Sequence, residues 1–170
     1  MDRINGQAAE VALRNIVKEH FTLVDSRDYN KDNLLSNAEI CINTFRKDLY
    51  TIKQKEGLGI QELSCEDIID WIYGIDTILE TVDETGNKIR VAIDVTTNVT
   101  DVQYKLNKLQ SRKQAIRNLG IDFCFVVYWD NNIAYKNLTR GQKYAMAGYL
   151  LDAIDNSTSK KLWVDDVVIP

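Results

Sequence analysis

Seven consecutive apolar residues, Phe123-Cys124-Phe125-Val126-Val127-Tyr128-Trp129, constrain this chain more than any other stretch. The run is too short to cross a bilayer as a helix, which takes roughly 20 residues. It is rich in β-branched and aromatic side chains and apolar on both faces. It therefore reads as a central strand covered by helices. A β-rich pair precedes it: residues 77–82 and 89–97 flank the polar connection Asp83-Glu84-Thr85-Gly86-Asn87 and read as a hairpin. Between hairpin and central strand, Val102, Leu106, Leu109, Ile116 and Leu119 mark one side of a helix over 101–119, with Gly120 placed to end it.

The flanks complete an α/β pattern. Apolar positions Ile4, Ala8, Val11, Ala12 and Ile16 predict a helix over 4–19, which also carries Glu10. A short strand is expected near 22–25. A second helix runs from Ser36 to about Lys55, with Ser36 and Asn37 as cap candidates, Glu39 as capping-box partner, and Gly57 and Gly59 as its stop. A short helix is expected over 64–70. Asn131-Asn132 makes a turn, Thr139 caps a helix over 140–153, and a last strand covers 162–169. No linker, repeat or low-complexity tract divides the chain, and its only proline is Pro170. The expected architecture is one α/β domain over 1–170: a mixed central sheet flanked by helices, a helical insertion at 31–67, and a C-terminal helix and strand over 140–170.

Composition narrows the chemistry. The only histidine, His20, follows the apolar stretch of the first helix and reads as a helix-end residue, so a His-rich metal centre is excluded. Cys41, Cys65 and Cys124 are odd in number and widely spaced, which argues for reduced thiols rather than a disulfide frame or a CxxC site. The N-terminus has scattered charges and no apolar core of a secretory signal, so a cytoplasmic protein with no membrane association is expected. Gly57 and Gly59 form a lone G-x-G, and no phosphate-binding fingerprint exists. Catalysis, if any, falls to carboxylates and amines.

Those groups are distributed unevenly. Residues 62–94 hold nine acidic side chains against two basic, whereas 101–120 hold five basic (Lys105, Lys108, Arg112, Lys113, Arg117) against one acidic. Most charge runs are solvated faces. Asp94 resists that reading, because it interrupts the apolar run Val91-Ala92-Ile93-Asp94-Val95, and a carboxylate there needs a partner, hydrogen bonds or a cation. Asp76 follows Gly74 at the mouth of the preceding strand. It reads as too far from the 83–87 turn to face Asp94 in strict register, although both lie towards one end of the hairpin. Two carboxylates converging at a sheet end make a hard oxygen site suited to Mg²⁺ or Mn²⁺.

The run Gly74-Ile75-Asp76, the strand and turn after it, then Ile93-Asp94-Val95-Thr96 and a basic helix resembles the PD-(D/E)XK nuclease superfamily. The resemblance covers about 1–20 and 68–130. It implies a restriction-endonuclease-like α-β-β-β-α-β core and metal-dependent hydrolysis of DNA phosphodiester bonds. Asp76 matches the first acid, Asp94 the second, and Glu10 an additional acid on the first helix, so these three are the implied metal ligands. The motif lysine is where the chain departs, since Thr96 stands in that catalytic position, and a threonine hydroxyl is too weak a base at neutral pH. Lys105, on the following helix, is placed to supply the missing cation, with Gln103 directed at the same site. Lys105, Lys108, Arg112, Lys113 and Arg117 are the expected DNA-backbone contacts, with Lys136, Arg140 and Lys143 a weaker second cluster. Trp71, Tyr73, Tyr104, Tyr128 and Trp129 are stacking candidates that read more simply as core. The alternative is a catalytically degenerate module of the same fold that binds nucleic acid or a protein partner. The 31–67 insertion is then a place for such a partner or a second copy.

Overall fold

Asn5 opens the first element. The computed structural model describes residues 5–40 and 63–169, and Asn5 Oδ1 accepts from the Ala8 N–H at 2.8 Å, capping α1 (Gly6–His20). Ala9, Ala12, Leu13, Ile16 and Val17 form its buried stripe, the spacing of a helix with one face in the core.

The next helix, α2 (Lys31–Ile40), starts five residues before the expected Ser36. Asn30 is the cap instead: its Oδ1 accepts from the Asp32 and Asn33 N–H groups at 2.9 and 3.2 Å. Ser36 and Asn37 consequently lie inside the helix, and the expected stop at Gly57 and Gly59 lies outside the described residues. Ser64 caps α3 (Cys65–Asp67), which continues past the expected Asp70 as a π-helical turn, Ile68–Tyr73. Gly74 ends it at φ +74°, a conformation that glycine adopts without the Cβ penalty.

Five strands form one mixed sheet in the order β1 (Thr22–Leu23), β2 (Thr77–Val82), β3 (Lys88–Thr96), β4 (Phe123–Trp129), β5 (Val164–Ile169). β1–β2 and β2–β3 pair antiparallel, and β3–β4 and β4–β5 are parallel. β4 is nearly continuously buried, as its composition requires of a strand paired on both edges.

Both parallel steps cross over through helices. Between β3 and β4 the expected single helix is two, α4 (Val102–Ser111) and α5 (Lys113–Asn118), broken at Arg112 with φ −101° and ψ 11°. Between β4 and β5 runs α6 (Arg140–Lys160), seven residues longer than the pattern to 153 suggested. The Thr139–Gln142 capping box is complete at its start. α1 and α6 pack on each other and on β3 and β5, while α4 packs on β4 and β5. Among the described residues no helix is long and apolar enough to cross a membrane.

Candidate active site at the strand ends

The hairpin brings the Asp76 and Asp94 carboxyls together just past the end of its ladder, which corrects the expectation that Asp76 is too far from the turn to face Asp94. Val82 pairs with Lys88 and the ladder runs without a bulge to Thr77 and Ile93. The ladder ends there: the Asp76 N–H donates to Ile93 O at 2.8 Å, one residue out of register, and just beyond it the Asp76 and Asp94 carboxyls lie within hydrogen-bond reach. The cause lies at the other end of the hairpin. Asp83 Oδ1 accepts from the Thr85 N–H, the Thr85 hydroxyl and the Asn87 N–H at 2.9, 2.7 and 2.9 Å, folding the five-residue connection tightly enough for the first pair to form directly across it.

Asp76 is held from several sides. Its Oδ2 accepts from the Val95 N–H at 2.7 Å, and its carbonyl accepts from Arg14 Nη2 at 3.3 Å. Asp94 is 4% exposed, and both of its oxygens accept from Lys105 Nζ at 3.0 Å. Lys105 therefore reaches the site from the first turn of α4, as the sequence suggested. Glu10, from α1, also closes on Asp76, its side chain within hydrogen-bond reach of the Asp76 carboxyl.

A fourth acid joins them. Asp70, which sequence reasoning had counted only among the acidic run, lies within hydrogen-bond reach of Asp76 as well. The Gly74 N–H donates to Asp70 O and the Ile75 N–H to Ile69 O, both at 3.1 Å, which folds the chain back at the end of the π-helical turn. A glycine four residues after an acid and two before another was the available signal.

The electrostatics follow from crowding four acids into a half-closed space. Burial, then the Asp94 charge and hydrogen bond, push the Asp76 carboxyl up to about 10, so it holds a proton at neutral pH. Burial and the neighbouring acids also raise Glu10 and Asp70. Burial works against the Lys105 ammonium, but the charge and hydrogen bonds of Asp94, with Asp76 and Glu10 behind, outweigh it and push its pKa up. The site carries more negative charge than Lys105 alone offsets.

A cleft of about 820 Å³ opens on this cluster, with Glu10, Asp70 and Asp76 in its wall beside Ile69, Ile75 and Ile78. Arg14 and Lys18, one and two turns after Glu10 on α1, line it as well.

Several expected contributors are placed elsewhere. Thr96 is 5% exposed and its hydroxyl is committed to the turn after β3, donating to Asn98 O at 3.3 Å and accepting from the Asn98 N–H at 3.1 Å. The hydroxyl thus caps the end of the strand. The Gln103 amide donates to Asn107 along the helix at 3.0 Å instead of turning to the acids. Arg112, expected on a DNA-facing surface, is 2% exposed. Its guanidinium and the Lys108 stem pack against Gly74, where a Cβ would stand 3.4 Å from Arg112 Nη1 and 3.5 Å from Lys108 Cε. Lys113 and Arg117 lie over the Trp163 ring at 6.0 and 5.6 Å from its centre, away from the acids. Of the stacking candidates, Tyr73 and Trp129 are core residues, Trp71 and Tyr128 are half-buried, and Tyr104 is exposed.

As they stand, no three or more Asp, Glu, His or Cys side chains among the described residues are gathered as a ready-made metal cage. The donor chemistry nonetheless fits a hard divalent cation: carboxylate oxygens only, excess negative charge, and a proton on Asp76 where a cation would otherwise compensate. Comparison with protein-family models, curated proteins and solved structures returned no match.

Proposed function

We propose that the chain is a metal-dependent endonuclease that hydrolyses phosphodiester bonds in DNA, built on a restriction-endonuclease-like core. The element order α1–β1–β2–β3–α4/α5–β4, with α2 and α3 inserted between β1 and β2, supports this reading. One observation carries it: Asp76 and Asp94 meet at the open end of an antiparallel hairpin, and Lys105 reaches them from the following helix. A buried carboxylate cluster with one lysine, opening into a cleft, is a costly arrangement for a purely structural role.

In this reading Asp76 and Asp94, with Glu10, would hold Mg²⁺ or Mn²⁺, which would supply an acidified water and charge compensation at the scissile phosphate. The protein's own groups do the rest. Lys105 stays protonated, orients Asp94 through two hydrogen bonds, and supplies positive charge next to the developing phosphorane. The Val95 N–H fixes one Asp76 oxygen and so orients the carboxyl. The commitment of Thr96 to its turn favours a second reading, a module of the same fold that binds nucleic acid without cutting it.

Incubation with supercoiled, linear, single-stranded and branched DNA in Mg²⁺, Mn²⁺ or EDTA separates the two, with Asp94→Ala as control. Metal-dependent cutting that disappears in the variant is the expected result. Gel-shift binding with no cutting on any substrate replaces the proposal with the second reading.

A further inference from the structure

The basic helix that the sequence offers for DNA is largely spent on the protein itself, so a nucleic-acid backbone needs another path. Lys105 is on Asp94, Lys108 and Arg112 are against Gly74, and Lys113 and Arg117 are over Trp163. A different set of cations leads directly out of the cleft. Glu10, Arg14 and Lys18 recur every four residues on α1 and all line the cleft, so they share one side of the helix. Lys18 stands about 12 Å along the axis from Glu10.

At that end of α1 the chain meets the start of α6. The Tyr135 hydroxyl donates to Glu19 at 2.8 Å, His20 packs edge-on to Tyr144 at 5.7 Å, and Lys143 Nζ lies 4.2 Å from the centre of the Tyr135 ring. These contacts bring Lys136, Arg140 and Lys143 to the same end of the molecule as Lys18. Lys18, Lys136 and Arg140 are exposed, and none has an ion-pair or hydrogen-bond partner among the described residues. Glu19, next to Lys18 in the chain, accepts from Tyr135.

We infer that the phosphate backbone of a nucleic-acid strand leaves the cleft along Lys18 and crosses the start of α6 on Lys136, Arg140 and Lys143. The inference rests on the nuclease-like reading of the carboxylate site, which fixes where the strand begins. The offset of about 12 Å from Glu10 corresponds to roughly three to four nucleotides at the duplex rise of 3.4 Å per strand step. The track therefore grips the strand outside the site and leaves the acids to the scissile phosphate.

The test compares K18E/K136E/R140E, all at exposed positions, with K113E/R117E. Anisotropy of a fluorescein-labelled 20-mer, single-stranded and duplex, is read in EDTA over a salt series, and cutting is read separately in Mn²⁺. Circular dichroism and urea midpoints confirm that both variants are folded. The track predicts roughly tenfold or greater loss of affinity for the triple variant, with a salt slope lower by about 2, and less than twofold loss for K113E/R117E. Equal binding by the triple variant and the wild type overturns the track, as does a larger loss in K113E/R117E. Binding only to phosphatidylserine vesicles, with neither oligonucleotide bound, overturns it too. Track-dependent binding without cutting overturns the cleavage reading alone, and cutting that the triple variant retains in full overturns the track alone.

Discussion

Lys105 Nζ lies 3.0 Å from each carboxylate oxygen of Asp94, across eleven residues of sequence. The Asp94 side chain is 6% exposed and that of Lys105 26%, so removing the lysine strands a buried charge rather than trimming a surface pair. Breaking a fully buried pair costs 3–5 kcal/mol, and the partial exposure of Lys105 lowers the expectation to about 2 kcal/mol for Lys105→Ala. The double variant Lys105→Ala/Asp94→Ala recovers part of that loss, with a coupling of about 1–2 kcal/mol. Urea denaturation of the four proteins measures it. Additive losses would show that the two charges do not stabilise each other.

Asp76 predicts an unusual pH dependence. Its carboxyl titrates near 3.8 in an unfolded chain and is pushed up to about 10 in the fold, so folding takes up a proton between those values. The contribution is complete below pH 3.8 and is lost as pH rises towards 10. In EDTA, stability is expected to fall by up to about 1 kcal/mol per pH unit between pH 6 and 9. Asp76→Asn keeps a neutral side chain there and is expected to flatten the slope and exceed the wild type at pH 8. Urea midpoints across the series read both. A wild-type profile that rises with pH over this range contradicts a protonated Asp76.

The mixed sheet and the order of elements along the chain were legible in the sequence because one fully apolar strand and one hairpin dominate it. The facing of Asp76 and Asp94 was also written there, in the equal distances of Val82 and Lys88 from the turn centre. It was missed because nothing in a single sequence says how tightly Asp83 closes that turn. The start of α2 went wrong because Ser36 and Glu39 form a capping signal that Asn30 lacks, although Asn30 sits where the helix begins. Arg112 was not legible, and Asp70 only through the spacing of Gly74 between two acids. Both depend on Gly74, whose left-handed turn folds Asp70 back towards Asp76 and leaves the space that the Arg112 guanidinium fills. A periodic pattern records which residues share a helix face, not which neighbour has vacated room for them.

Gly74 is accordingly a sensitive position. Its φ of +74° disfavours any Cβ, and an added Cβ meets Arg112 Nη1 at 3.4 Å and Lys108 Cε at 3.5 Å. Gly74→Ala is expected to cost about 1–2 kcal/mol from backbone strain, with further loss where Arg112 must give way. Gly86 has a similar φ of +86° with nothing within 4 Å of its would-be Cβ, so Gly86→Ala isolates the backbone part. Thermal or urea unfolding of the two variants compares them directly. Equal losses would mean that the close packing at Gly74 adds nothing.

Divalent cations should replace the proton that the acids now share. Mn²⁺ is expected to stabilise the wild type by about 2.7 kcal/mol at a hundred times the dissociation constant, read as a higher unfolding midpoint. Because the ion competes with the proton on Asp76, the stabilisation grows as pH rises from 6 to 9, opposite to the trend in EDTA. Asp94→Ala and Asp76→Ala lose the effect, whereas Asp25→Ala, at an acid of the same cleft that is tied to Arg27 at 2.6 Å, retains it. Differential scanning fluorimetry with Mn²⁺, Mg²⁺ and EDTA at three pH values makes the measurement. Equal stabilisation of the wild type and Asp94→Ala would move the cation away from the strand-end pair and remove the chemical basis of the nuclease proposal.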